Sequence, residues 1–203
     1  PIAAIRWNTE LLERTLKEVK TEAQARYLDK VSRNTQRMVS LINDFLSVSK
    51  LEMGTYAAET KSINLSEFID EIIDEFAGKI SEKNINLDRE DNPPALTVEA
   101  DRRLLHITLS NLLSNATKYT NENGTIKLQY EAEQQSVLFT IADDGIGIPE
   151  SEIENLFTKF YRASNAESHQ TEGTGLGLYI VRESVHQMGG EIEVTSDENQ
   201  GTT

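Results

Sequence analysis

The chain has 203 residues and a formal net charge of −14 at pH 7, from 20 Lys and Arg against 34 Asp and Glu. That balance excludes a general nucleic-acid binder, which needs a basic stripe to neutralise phosphates. With no cysteine there is neither a disulfide scaffold nor a thiolate metal site. The longest run without a charged residue, 104–117, is 14 residues long, short of the ~20 that a membrane-crossing helix needs.

Charge and glycine divide the chain. Residues 1–53 carry nine basic and seven acidic side chains, no glycine, and no proline after Pro1. Residues 54–203 carry eleven basic and twenty-seven acidic side chains, and eight of the eleven glycines lie between Gly145 and Gly201. Two units are expected, 1–53 and 61–203, joined by a linker at 54–60. In the front unit Ile2, Ile5, Thr9, Leu12, Leu16 and Val19 alternate steps of three and four. So do Leu28, Val31, Thr35, Met38, Ile42, Phe45 and Ser49. These are heptad seams. Thr21 with Gln24 reads as a capping box that opens the second helix, with the turn near Lys20 and Gly54 as its stop. Two helices leave such seams half covered, so a second hairpin is expected to complete a four-helix bundle. The second helix, about 30 residues long, outruns the first at about 19, which predicts ten or more helical residues ahead of Pro1.

The back unit mixes elements. Asn64 and Glu67 open an amphipathic helix through Phe68, Ile69, Ile72, Ile73, Phe76 and Ile80. Strands are expected at 85–87 and 96–98 on either side of Pro93-Pro94, and a helix from Asp101 to about Tyr119. Two strands follow at 126–130 and 137–142, then a helix after Pro149 and a polar stretch. A helix over 176–188 and a strand over 191–195 complete the unit. The fold class is α+β: a helical hairpin, then an α/β sandwich with a mixed sheet and helices on one face.

Three constellations carry chemistry. Asn111, Asn115 and Lys118 share one helix face, followed by Tyr119. Two amide oxygens and an ammonium suit a magnesium-bound phosphate, although an ordinary solvated face has the same spacing. Asp143-Asp-Gly145-Ile-Gly147-Ile-Pro149 puts a carboxylate at a strand end, able to accept from an exocyclic amine; an acidic turn reads the same way. Gly173-Thr174-Gly175-Leu176-Gly177 leads into an apolar helix whose first N–H groups offer an anion site. Between the last two lie Phe157, Phe160, Tyr161 and Arg162 and then the polar run 163–172, which has the form of a lid.

In this order N-x-x-x-N-A-x-K-Y, D-x-G-x-G-I-P, F-x-x-F-Y-R and G-T-G-L-G-L resemble the boxes of sensor histidine kinases of bacterial two-component systems. The stretch from Leu41-Ile-Asn-Asp-Phe-Leu46 to Ser49-Lys-Leu-Glu52 resembles the second helix of their dimerisation and phosphotransfer domain. The resemblance implies that Asn115 with Asn111 handles Mg²⁺, Lys118 reaches phosphate and Tyr119 packs by the base. It implies that Asp143 reads the adenine amine, Gly145 and Gly147 shape the adenine pocket, Tyr161 is among the nucleotide-binding residues and Arg162 approaches the γ-phosphate. Gly173, Thr174, Gly175, Leu176 and Gly177 would close on the phosphates.

The implied cofactors are ATP and Mg²⁺; the implied partners are a second copy through 1–53 and a response-regulator receiver domain. No nucleic acid and no membrane segment are expected. The implied location is cytoplasmic, with a parent protein free to be anchored at the inner membrane. The family's acceptor motif H-x-x-x-x-P would put the phosphorylated histidine five positions before Pro1. His106, His169 and His186 all fall outside the hairpin and read as structural or surface residues. Gly201-Thr-Thr203 resembles the entry to a last strand. Two other functions compete with a histidine kinase core. One is an ATP hydrolase of the same fold, which would need a glutamate where Asn111 stands. The other is a nucleotide-sensing dimerisation module without turnover.

Overall fold

The heptad spacing of the front unit forms two helices in the computed structural model, which describes residues 2–16, 21–53, 59–169 and 173–203. They are α1 (Ile2–Thr15) and α2 (Glu22–Glu52). The capping box closes as its sequence predicts: the Thr21 N–H donates to Gln24 Oε1 at 2.9 Å and the Gln24 N–H to Thr21 Oγ1 at 3.3 Å. Val19, Lys20 and Gly54 lie outside the described residues, so the turn and the helix stop do too. One hairpin covers little of its own seams. Thr9 and Thr35 are buried, but Ile5, Leu12, Val31, Met38, Ile42 and Phe45 remain exposed.

The back unit begins with β1 (Thr60–Asn64), which pairs antiparallel with β3 (Thr97–Asp101) from Thr60↔Asp101 to Asn64↔Thr97. β1 escapes a periodicity reading because only Ile63 in it is apolar. Between them run α3 (Leu65–Glu82) and β2 (Asn86–Asn92). Phe68, Ile69, Ile72 and Phe76 form the buried face of α3, as their spacing requires. Asn64 stands at the N-cap, but its side chain makes no cap bond; Nδ2 donates to Glu67 Oε1 at 2.9 Å instead. β2 runs longer than the expected strand because four consecutive charged residues, Asp88 to Asp91, fill its outer part, a composition that hides a strand rather than marking one.

α4 (Arg102–Tyr119) is capped by Asp101, whose Oδ1 accepts from the N–H groups of Arg103 and Leu104. β4 (Thr125–Ala132) and β5 (Val137–Asp143) pair antiparallel from Ile126↔Asp143 to Ala132↔Val137, and β2 runs parallel to β4. The helix expected after Pro149 forms over Glu150–Asn155 as a 3-10 helix. Within the polar run it forms a short α5 (Ser164–His169), and α6 (Gly177–Gln187) follows. β6 (Ser196–Asp197) and β7 (Gly201–Thr202) close a five-stranded mixed sheet of order β2-β4-β5-β7-β6.

The strand expected at 191–195 is not formed. A strand needs a hydrogen-bonded neighbour, and in this stretch only Thr195 has one, exchanging two bonds with Thr203. The sheet is covered on one face. Ile126, Leu128 and Tyr130 of β4 are buried against α3 and α4, while Lys127 between them and Glu131 beyond them face solvent. Leu105, Leu109, Leu113 and Ala116 hold α4 on this core. Each such side chain is worth about 1.5–3 kcal/mol of burial, and together they fix which edge of α4 turns away from the sheet.

Candidate functional site

That outward edge of α4 carries Asn111, Asn115, Lys118 and Tyr119, and all four line a cleft of about 1710 Å³. Asp143 and Gly147 line it from the end of β5, Tyr161 and Arg162 from the loop before α5, and Gly173, Thr174, Gly175 and Gly177 from the approach to α6. Three constellations far apart in sequence therefore meet. Gly145 and Leu176 flank the cleft without lining it. Gly145 lies so close under Tyr119 that a Cβ there would fall 2.4 Å from the Tyr119 carbonyl oxygen. Leu176 is buried and packs with Val48 of α2. The cleft runs on to the open edge of β5 and the segment 189–195.

Asp143 is set by the strand that delivers it. β5 ends at this residue, and burial pushes its carboxyl up to about 6. The Gly145 N–H, donating to Asp143 Oδ1 at 2.9 Å, works against that rise, whereas the charge of Asp144 adds to it. A desolvated carboxylate at the end of a strand is a strong acceptor for an amine. On α4 the amide of Asn111 is oriented by its own helix: Nδ2 donates to Ile107 O at 2.7 Å. Its Oδ1 turns toward the start of α6, where a Cβ on Gly177 would lie 3.0 Å away. No side chain caps the N-terminus of α6, so its leading N–H groups are available to an anion. The turn into it depends on Gly175, at φ 71°, where a Cβ would sit 2.6 Å from the Phe160 carbonyl carbon.

The lid-like stretch is anchored by a residue that motif reading passes over. Glu152, in the 3-10 helix, accepts from Ser164 Oγ at 2.6 Å, from the Ser164 N–H at 2.9 Å and from Tyr161 OH at 2.9 Å. The Ser164 hydroxyl, then its N–H, then Tyr161 hold this carboxyl below its ordinary value. Asn165 Nδ2 donates to Gly147 O at 2.9 Å, bringing α5 onto the Asp143 loop. Arg162 Nη2 donates to Ala166 O at 3.3 Å, and its guanidinium lies against Gly173. Residues 170–172 of the expected lid lie outside the described residues.

The hairpin also reaches this site. Thr174 Oγ1 donates to Asp44 Oδ2 of α2 at 2.7 Å. Burial raises the Asp44 carboxyl, opposed by that hydroxyl and by the charge of Lys118. Val48 packs with Leu176, Tyr179 and Ile180. Tyr179 OH donates to Glu52 Oε1 at 2.9 Å, and Lys159, which lies over the Tyr179 ring, pairs with the same carboxylate. Asp44 and Glu52 fall outside the heptad seam, and among the seven acidic side chains of residues 1–53 nothing in the sequence singles them out. His106 and His186 stay apart from this chemistry. His106 Nε2 meets Glu75 Oε1 at 2.8 Å beside the edge of Phe68, and His186 sits in the last turn of α6. The His169 side chain lies outside the described residues.

Comparison with known proteins agrees with this architecture. The family described as histidine kinase-, DNA gyrase B-, and HSP90-like ATPase matches residues 100–203, and the His Kinase A (phospho-acceptor) domain matches residues 1–54. The sensor histidine kinase WalK of Bacillus subtilis is 36% identical over 180 residues, covering 88% of this chain and 29% of its own length. Full-length ShkA, solved in complex with AMPPNP, aligns at a TM-score of 0.78 and 27% identity over 100% of this chain and 41% of its own. The histidine kinase ThkA, solved with the response regulator TrrA, aligns at a TM-score of 0.72 and 26% identity over 99% of this chain and 56% of its own. The chain spans between 11% and 29% of the length of the first curated relatives it matches.

Proposed function

This chain belongs to the sensor histidine kinases, and from that membership we propose that its cleft binds ATP with Mg²⁺ and presents the γ-phosphoryl group to a histidine on the hairpin. A response-regulator aspartate then takes the phosphoryl group from that histidine. One observation carries the reading: the half-buried Asp143 carboxylate, the polar edge of α4 and the uncapped start of α6 converge on a single cleft.

Each part of the cleft has a task in this reading. Asp143 accepts from the adenine amine, and Tyr119 bounds the base. Lys118, Arg162 and the leading N–H groups of α6 take the phosphate charge, which has to be concentrated because the surrounding unit is strongly acidic. Asn115, with the Oδ1 of Asn111 turned to the same side, would hold Mg²⁺, which supplies charge neutralisation at the phosphates when bound. In the transfer itself an imidazole nitrogen forms a bond to the γ-phosphorus while the bond to the β–γ bridging oxygen breaks, and ADP leaves with that oxygen's electron pair. The protein's part is positioning and electrostatics. An amide at Asn111 offers no base for an attacking water, which sets this reading above that of an ATP hydrolase.

Titration calorimetry tests the site. ATP binds with Mg²⁺ and binds more weakly in EDTA, and Asn115→Ala loses more affinity than Lys118→Ala, since Lys118 is one of several cations at the phosphates. Equal affinity with and without EDTA overturns the metal assignment.

A further inference from the structure

α4 ends without the usual device. Its C-cap, Thr120, is extended at φ −67° and ψ 136°, and no glycine in the left-handed region follows to fold the chain back on the last carbonyls. Those carbonyls are satisfied from another element. Lys83, the residue that closes α3, sends its ammonium across to α4, where Nζ donates to Thr117 O, Lys118 O and Thr120 O at 2.8 Å each. An ammonium has three protons, and all three are used. The main chain of Lys83 is tied to the same region, because its carbonyl accepts from the Asn123 N–H at 2.9 Å. Burial lowers the Lys83 ammonium below its ordinary range, while the carboxylates of Glu122 and Glu82 draw it back up.

The turn held in this way is the one that matters for the cleft. Lys118 and Tyr119 leave it to line the cleft. The Tyr119 carbonyl lies between two of the carbonyls that Lys83 holds, and it accepts from the Ile146 N–H at 3.2 Å. Gly145, one residue earlier, is in close contact with the same carbonyl and donates to Asp143. A continuous path therefore runs from the Lys83 ammonium through the Tyr119 peptide to the loop that orients Asp143. We infer that Lys83 is a positioning residue for nucleotide binding, holding the end of α4 so that Lys118, Tyr119 and the Asp143 loop keep one mutual geometry. Lys83 does not itself line the cleft, and its ammonium acts through these main-chain carbonyls, that of the cleft-lining Lys118 among them. The inference rests on the nucleotide reading of the cleft.

The absence of cysteine from the chain makes a clean test possible. Lys83→Cys introduces a unique thiol. Alkylation with 2-bromoethylamine rebuilds an ammonium of lysine length, whereas iodoacetamide leaves a neutral amide. Mg–ATP affinity is measured at a temperature where circular dichroism shows each protein fully folded, so that a loss of stability alone leaves the dissociation constant unmoved. The expected result is a loss of about tenfold or more in Lys83→Cys and in its amide adduct, the scale on which small misplacements act at binding sites, with recovery to near the wild-type value in the aminoethyl protein. Lys83→Gln, which keeps a donor but not the charge, serves as the second variant should the thiol variant fail to fold, and is expected to show the same loss. Unchanged affinity in the neutral variants, with only a lower melting temperature, reduces Lys83 to a structural residue and overturns the inference. So does loss of affinity that the aminoethyl group fails to restore. If the wild-type chain itself binds no ATP, it is the nucleotide reading that fails, and the inference falls with it.

Discussion

Asp143→Asn should stabilise the protein while weakening its ligand site, and the two effects can be separated by pH. The carboxyl is raised from 3.8 to about 6, chiefly by burial, so the folded state disfavours the ionised form that the unfolded chain holds freely. For an acid raised in this way, stability is fully present below pH 3.8 and is lost as pH rises through about 6. Taken whole, the shift corresponds to about 3 kcal/mol at neutral pH, and partial contact with water brings a reasonable expectation to about 1–3 kcal/mol. An amide at this position has no ionised form to desolvate, and its oxygen still accepts from the Gly145 N–H. Asp143→Asn should therefore melt about 3–8 °C higher than wild type at pH 7.5. The advantage should fall to about half near pH 5. Mg–ATP affinity should drop by about 10- to 100-fold, the loss of one hydrogen bond to a charged acceptor. Differential scanning calorimetry across this pH range and titration with ATP measure both. Equal melting temperatures at pH 7.5, or an advantage that does not shrink on acidification, would refute the account of Asp143 as a desolvated carboxylate.

The exposed seam predicts association: in light scattering the chain should be a dimer at tens of micromolar, and Ile42→Glu with Phe45→Glu should give monomers that still bind ATP. A monomeric wild type contradicts the bundle. Removal of the lid anchor with Glu152→Ala should speed proteolytic cutting within 163–172, and ATP analogues should slow it again; cutting at the wild-type rate would show that Ser164 and Tyr161 need no such anchor. Asp44 places a carboxylate beside Lys118 and occupies the Thr174 hydroxyl, so Asp44→Ala should raise Mg–ATP affinity by about 3- to 10-fold. Unchanged affinity would show that phosphate and Asp44 do not compete. With γ-labelled ATP the 203-residue chain should take up no acid-labile, alkali-stable label, because its three histidines lie off the hairpin. A chain with a histidine five positions before Pro1 should take it up, and label mapped to His106, His169 or His186 would misplace the acceptor.

Where burial is one-sided and continuous, the sequence was enough. α3 and α4 could be read to within a residue or two because Phe68, Ile69, Ile72 and Phe76, and Leu105, Leu109 and Ala116, recur with the helical period. Asp101 marks the start of α4 by its capping chemistry. The strands read less well for a physical reason. β1 holds one apolar residue, and β2 beyond Leu87 holds none, because both lie at sheet margins where little side-chain burial is required; their pairing is carried by backbone groups that all residues share. The segment 191–195 shows the reverse error. Glu191-Ile-Glu-Val-Thr alternates as a strand should, but alternation fixes only the side-chain faces, and a ladder also needs an adjacent edge.

The site divides along the same line. Asn111, Asn115, Lys118, Asp143 and the glycines before α6 could be singled out because their residue types and spacing fall within short segments, and the structure brings them to one cleft. The contacts that hold those segments in place leave no such trace. Glu152 follows Pro149 closely and reads as an acidic residue at the start of any helix; its three partners at Tyr161 and Ser164 appear only when the chain turns back. Lys83 is harder still to see. Its three acceptors are main-chain carbonyls, so no partner side chain is required to be acidic or polar, and nothing in the composition of residues 117–120 signals that a cation is needed there. What creates the need is the way α4 ends, extended at Thr120 with no glycine to fold back on its last carbonyls, and that is a property of backbone angles rather than of residue types.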